Sequence, residues 1–381
     1  MKSIYTYSLF LFIAFVMTGI FISCSDDDLP NGGQPIVNYI RITDPASSDS
    51  LVVSAGQGQM VAIMGQNLQD AREIWFNDQR GILNPSFITG TTIITKVPSQ
   101  IPAEITNEMK IIFANGNSLV YDFTVDISAP EISYMKSEFV NPGDVATING
   151  NYFYEPVMVT FTGAVTGELV SLEDGLIEVR VPEGAQPGPI TITTNFGQTE
   201  SDFWFRDNRN IIASFDGTTT GLWHGANYIV SSDDNIPAIS GKFIRMKRDL
   251  GAWDWFELYV GPANSDVALE LKNIPVDAFA NPDSYNLKFE INALDTLTGA
   301  AIHMYIGPEM GDERDDFNYN WQPNVYTAGQ WETIVIPWND VYIANKEFPY
   351  NPNGYGVSIH FSGASAVSAD FGLDNMRVVP K

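Results

Sequence analysis

Apolar residues along most of this chain recur at every second position, in short runs that stop at Gly, Pro or Asn. Side chains on a strand alternate between faces, so such runs predict half-buried β-strands. Few stretches show the helical period, and the predicted fold class is all-β. The clearest runs lie towards the C-terminus. In Gly251–Val260 the residues Phe256, Leu258 and Val260 share one face, and Trp253, Trp255, Glu257 and Tyr259 share the other. The first face is a natural core face. The second carries three large aromatics beside a carboxylate that would be costly to bury unpaired. It reads either as an accessible aromatic stripe or as large core residues beside an edge carboxylate.

Neighbouring runs have the same parity. Ile302, Met304 and Ile306 leave His303 and Tyr305 opposite. Val357, Ile359 and Phe361 leave Ser358 and His360 opposite. The apolar odd positions of Tyr285–Ile291 leave Asn286, Lys288 and Glu290 opposite. If these strands share a sheet, one outer face collects Trp, Tyr, His and hydrogen-bonding groups, and that agreement favours the stripe. Two connections add aromatics: Thr218–Gly225, with Trp223, and the long Gly307–Gly329 stretch, with Tyr319 and Trp321. Trp331 reads as core. Trp338 is left open between core and surface.

The earlier part of the chain repeats itself. Pro35–Ile40, Met60–Leu68, Glu73–Phe76, Ile93–Pro98 and Lys110–Gly116 are followed in the same order by Ala129–Tyr134, Ala146–Phe153, Val157–Phe161, Ile177–Pro182 and Pro189–Gly197. The spacing is roughly ninety residues. Each unit holds about seven short strands, as expected for a small β-sandwich. The shared starts, the Gly-Gln-Asn-Leu and Gly-Asn-Tyr-Phe steps, the Val-Pro strand ends and the Asn-Gly and Asn-Phe-Gly hairpins are similar to IPT/TIG immunoglobulin-like domains. Trp75, between Ile74 and Phe76, is expected in the core of the first unit.

The N-terminus changes the picture. Met1-Lys2-Ser3 is followed by an apolar run to Ile22 and then by Ser23-Cys24, the pattern of a secretory signal. Cys24 is the one cysteine of the 381 residues, so no disulfide framework is available. Phe21-Ile22-Ser23-Cys24 resembles a bacterial lipobox with Phe in place of the usual Leu, which would make Cys24 the lipid-modified terminus. The following Ser25-Asp26-Asp27-Asp28 resembles the surface-export signal of Bacteroidetes lipoproteins. The expected organisation is a signal peptide over 1–23, a lipidated Cys24 and tether over 24–35, immunoglobulin-like sandwiches over 36–126 and 127–207, and a larger C-terminal β-sandwich over 208–381.

A formal charge of -26 excludes nucleic acid and disfavours long polyanions, while a neutral ligand meets no such barrier. Six of the eight tryptophans and all three histidines lie in the C-terminal sandwich, which is therefore the expected functional end. Indole and phenol rings suit the C–H faces of sugars, and amide, carboxylate and imidazole groups suit their hydroxyls. The candidate glycan contacts are Trp223, Trp253, Trp255, Glu257, Tyr259, His303, Tyr305, Tyr319, Trp321 and His360. No nucleophile elbow, zinc-helix motif or phosphate loop is present. The acidic run Asp312–Asp316 reads as a solvated loop rather than a hydrolytic pair. No catalytic residue is assigned and no cofactor is expected. Asp216 and Asp374, next to Asn375, form a candidate structural calcium pair, with turn roles as the alternative.

A lipoprotein start, tandem IPT/TIG units and an aromatic-rich terminal sandwich together resemble the B-type surface glycan-binding proteins of Bacteroidetes polysaccharide-utilisation loci. The terminal part is similar to their xyloglucan-binding domain. The resemblance implies a non-catalytic, lipid-anchored protein facing outwards from the outer membrane. It would hold a neutral β-glucan such as xyloglucan or mixed-linkage glucan on an aromatic platform beside an outer-membrane transporter, with Trp223, Trp253 and Trp255 as platform residues. A surface glycoside hydrolase using the acidic loop and a structural adhesin are the alternatives.

Overall fold

The computed structural model describes residues 33–44, 51–216, 228–261, 273–307 and 318–381, with backbone alone for 258–261. Strands dominate, and the chain divides into two compact units, Met1–Ile127 and Ser128–Lys381.

In the first unit one sheet runs Leu51–Val52, Ile36–Ile42, Met60–Gln66, Thr92–Lys96. The other runs Gln79–Gly81, Ala71–Phe76, Glu108–Phe113, Ser118–Asp122. Alternate residues such as Met109, Ile111 and Phe113 point inwards to join Ile40, Ile63 and Ile93 in the core. Trp75 is a correction to the expectation. Ile74 and Phe76 are buried, so strand alternation turns Trp75 to the outer face. There its indole N–H donates to Glu73 at 3.0 Å, and the Arg80 guanidinium lies 6.0 Å from the ring centre.

The second unit opens with a matching sandwich: Glu131–Met135, Val145–Asn151, Leu176–Arg180, Glu168–Glu173 against Val165–Thr166, Met158–Phe161, Gly188–Thr194, Gly197–Phe205. The repeated glycine step has a steric cause. A Cβ on Gly65 would stand 2.0 Å from the Ile36 carbonyl oxygen, and one on Gly150 would stand 1.9 Å from that of Glu131. Both glycines lie across from the first strand of their sandwich, next to a register shift in that strand. Only a residue without a Cβ lets the bulged strand approach this closely.

The C-terminal sandwich packs two sheets around one core. The larger runs Ile229–Val230, Phe243–Leu250, Val367–Pro380, Tyr285–Ala293, Glu332–Pro337. The smaller runs Trp255–Gly261, Gly356–Ser362, Ala301–Gly307, Tyr319–Trp321. Phe256, Ile302, Met304, Ile306, Val357, Ile359 and Phe361 meet Leu287, Phe289, Ile291, Phe371 and Leu373 between the sheets. Trp331 is buried and donates to the Pro237 carbonyl at 2.8 Å, as its strand pattern suggested. Trp338 is fully buried and donates to Ala278 at 3.1 Å, which resolves the open reading in favour of core.

The even positions of Tyr285–Ala293 do not join the aromatic face. They belong to the other sheet, and residues 137–139 of the preceding sandwich lie over them. Lys288 donates to Glu138 at 2.6 Å. Arg377 bridges Glu138 at 2.6 Å and Glu290 at 2.9 Å. Glu290 also accepts from Ser137 at 3.1 Å and Thr333 at 2.7 Å. Phe139 completes the junction by packing with Ile236, Ile239, Phe243 and Trp331. Glu138 and Glu290 are therefore balanced by Lys288 and Arg377 inside a buried joint, and each of these carboxylates has a cationic partner.

Candidate functional site

The smaller sheet presents its outer face as rows across its four strands. The first row runs Trp255, Ser362, Ala301, and the next runs Glu257, His360, His303, Asn320. One end of this face is open and the other is covered. At the covered end Ser358 and Tyr305 are buried, and the Tyr305 phenol fills the space where a Gly307 side chain would stand.

At the open end residues 251–254 form a tight turn. The Asp254 carboxylate accepts from Gly251 N–H at 2.8 Å, and Trp253 N–H donates to Gly363 at 2.7 Å. Trp253 sits at φ 63°, in the left-handed region. That conformation is disfavoured for a bulky L-residue, so surrounding contacts must impose it. The result is an indole 76% exposed. Its exposure comes from the turn and not from strand parity, because the strand starts at Trp255. Trp255 is 38% exposed, and its ring centre lies 5.7 Å from that of His360.

The two histidines are locked. Their rings stack at 4.4 Å with an interplanar angle of 7°. His303 Nδ1 lies 3.1 Å from Asn318 Oδ1, and its Nε2 lies 3.0 Å from Ser362 Oγ. An amide oxygen only accepts, so Nδ1 carries the hydrogen; in the neutral ring Nε2 then accepts the Ser362 hydroxyl hydrogen. Ser362 Oγ is left with lone pairs for an incoming hydroxyl.

Several expected contacts are placed elsewhere. Glu257 is 1% exposed, buried beside its register partner His360, and so is not offered to a ligand. Tyr305 is closed off at the covered end of the face. Tyr319 and Trp321 pair with Met304 and Ile302, two core-facing residues, and therefore point inwards. Trp321 meets Phe289 edge-on at 5.1 Å, and burial raises the Tyr319 phenol above its ordinary pKa. The register shifts between Glu257 and Tyr259, which brings Tyr259 opposite Ile359; its side chain lies outside the described residues. Trp223, Cys24 and the acidic run 312–316 also lie outside them. Asn320, Ser362 and Asn318 were missed as contributors to the face. The alternation Asn318-Tyr319-Asn320-Trp321-Gln322 was the signal that placed the amides outwards and the rings inwards.

The calcium pair lies away from this face. Asp374 is in the larger sheet, wholly buried, with its carboxyl pushed up to about 9 by burial and, more weakly, by the nearby Glu290 and Asp216 charges. Asp216 accepts the Lys242 N–H at 2.7 Å. Calcium takes about six to eight oxygens. Among the described residues no three His, Cys, Asp or Glu side chains are grouped to hold a metal ion, so a calcium site at this pair would have to be completed by carbonyl oxygens.

A hollow of about 540 Å³ lies at the joint between the two sandwiches of this unit and includes Trp331. That ring is buried, so the hollow offers no indole for stacking.

Residues 205–380 match the profile of the surface glycan-binding protein B xyloglucan-binding domain. An IPT/TIG domain-containing protein of Bacteroides ovatus is 33% identical over 504 aligned positions, spanning all of both chains. Among solved structures, the surface glycan-binding protein PbSGBP-B of Prevotella bryantii aligns with a TM-score of 0.68 at 24% identity, over 91% of this chain and 99% of that one. The SGBP-B from a complex xyloglucan utilisation locus in Bacteroides uniformis aligns with a TM-score of 0.54 at 19% identity, over 92% of this chain and 100% of that one.

Proposed function

Because the chain belongs to the B-type, IPT/TIG-containing surface glycan-binding proteins, we propose that it is a non-catalytic receptor for a neutral β-glucan. Lipidated at Cys24, it stands on the outer face of the outer membrane and passes glycan to an uptake complex there. The observation that carries the binding reading is the open end of the smaller sheet. Two solvent-accessible indoles, Trp253 and Trp255, stand beside Ser362, whose hydroxyl is held by His303, and the exposed Asn320. The indoles supply flat apolar area with little rotamer entropy to lose, and the Ser362 oxygen, held by His303, offers lone pairs to a hydroxyl. A neutral ligand also avoids repulsion from the chain's net negative charge.

Calorimetric titration against xyloglucan, mixed-linkage β-glucan, laminarin and mannan tests this. A β-glucan is expected to bind, with no release of reducing ends. Trp253→Ala and Trp255→Ala are each expected to weaken binding by about 2 kcal/mol, near thirtyfold. A blank panel, or folded variants that bind like the wild type, would sink the reading. Cys24→Ala is expected to move the protein out of the membrane fraction.

A further inference from the structure

The platform leaves Trp75 without a task, and the residue at its place in the second sandwich shows that the fold does not require it. In the first unit the outer face of the sheet built on Ala71–Phe76 carries the row Arg80, Trp75, Lys110, Val120. The second sandwich repeats the strand order, and its row is Thr166, Thr160, Thr191, Glu200. The two rows correspond, because Trp75 precedes the buried Phe76 as Thr160 precedes the buried Phe161. The same sheet is thus built with small hydroxyl side chains where the first sandwich has an indole between two bases.

The indole is also held flat. Its N–H reaches the Glu73 carboxylate at 3.0 Å, two residues back on the same strand and the same face. The ring therefore lies along the strand, with one side on the sheet and the other towards solvent, in keeping with its half-buried state. Arg80 pairs with Glu73 at 3.1 Å and brings its guanidinium to 6.0 Å from the ring centre. The exposed Lys110 flanks the ring on the neighbouring strand. A flat ring bordered by a carboxylate and two cationic donors suits a sugar. Ring C–H groups stack on the indole, and hydroxyls bond the three charged groups in place of water. An apolar protein surface would strip the water from those charges and return nothing.

We propose that this face is a second glycan site, on the first sandwich, which holds the same neutral β-glucan as the C-terminal platform, so that one chain grips a polymer at two points. The ligand class rests on the platform reading above; the site itself rests on Trp75, Arg80 and Lys110.

Trp75→Thr tests the site with the fold protected, since threonine is what the second sandwich carries at this position. In titrations with short mixed-linkage and xyloglucan oligosaccharides, wild type is expected to take up two molecules per chain and Trp75→Thr one. A variant carrying both Trp253→Ala and Trp255→Ala is expected to keep only the weaker uptake at Trp75. On immobilised polysaccharide, Trp75→Thr is expected to dissociate about tenfold faster than wild type or more, because the second grip is lost. Lys110→Thr is expected to speed dissociation in the same direction. One oligosaccharide per wild-type chain, or wild-type retention in Trp75→Thr, would overturn the proposal and leave the platform standing. Two oligosaccharides per chain in the variant lacking Trp253 and Trp255 would instead overturn the platform alone. No uptake of either oligosaccharide by wild type would overturn both.

Discussion

Asp374→Asn is expected to stabilise this protein, by an amount set by pH. At the joint behind the binding sandwich, Glu138 and Glu290 are balanced by Lys288 and Arg377. A charged Asp374 would be a fifth, unbalanced charge. Its Oδ1 accepts the Asn375 N–H at 2.8 Å, and its buried Oδ2 has no hydrogen-bond partner among the described residues. Burial is the main reason that its pKa rises from 3.8 to about 9, with Glu290 and Asp216 adding to the shift and the Asn375 N–H and Arg377 opposing it. Between those values the folded chain holds a proton that the unfolded chain has released. The stability contribution of this group is therefore greatest below its unfolded pKa and falls as pH rises towards its folded one, by up to about 1.4 kcal/mol per unit. At pH 7 the accumulated loss is of order 4 kcal/mol, an upper bound. Asparagine has nearly the shape of the protonated acid and does not ionise. The variant should match wild type near pH 4 and exceed it by up to about 4 kcal/mol at pH 7. Urea unfolding at pH 4, 7 and 9 measures this, followed by tryptophan fluorescence, and equal m-values confirm a change of stability alone. Taking the difference between the two proteins cancels every other titrating group that the substitution leaves unperturbed. A variant no more stable at pH 7 than at pH 4, relative to wild type, would show that Asp374 is charged in the fold and refute the charge balance.

The same joint predicts that Glu138→Ala costs about 3–5 kcal/mol, because it leaves Lys288 and Arg377 to share Glu290; thermal unfolding reads this, and glucan affinity should be unchanged. Trp321→Ala should cost about 3 kcal/mol of stability through loss of its packing on Phe289, with the affinity of the remaining folded protein intact, the reverse of what a ligand-stacking residue would give. Trp253→Gly should weaken glucan binding in titration about as much as Trp253→Ala and raise stability by about 1 kcal/mol, since glycine adopts the left-handed backbone conformation of this turn without strain.

Period-two reasoning placed most of the inner face correctly. Phe256, the alternate residues of Ala301–Gly307 and those of Gly356–Ser362 are all core. It failed where something other than strand alternation decides exposure. Trp253 is exposed by a turn with positive φ, and parity says nothing about a turn. Tyr305 has the parity of His303 but lies at the covered end of the sheet. Lys288 and Glu290 read as an outward polar pair, and they do leave their own core. A loop of the preceding sandwich then buries them, a contact between segments far apart in the chain that no local pattern encodes. Tyr319 and Trp321 were legible: polar and aromatic residues alternate strictly from Asn318 to Gln322, and the length of the connection drew attention away from that strand signal.

The joint also gives the preceding sandwich a role beyond spacing. A spacer needs only to hold distance, and loose apolar contacts are enough for that. Here residues 137–139 supply half the negative charge of a buried four-member cluster and a phenyl ring over Arg377 at 5.0 Å. Without that segment the binding sandwich would keep two cations, Lys288 and Arg377, beside Glu290 alone. Directional ion pairs add little net stability once desolvation is counted. They do penalise every orientation that separates a carboxylate from its base. Slipping the Glu138 loop by even one residue would strand charges in a buried site, so the cluster selects one arrangement of the two sandwiches among the many that apolar contacts alone would tolerate. The exposed indoles are thereby held at a fixed angle to the sandwich that precedes them, which makes that sandwich a structural part of the binding module.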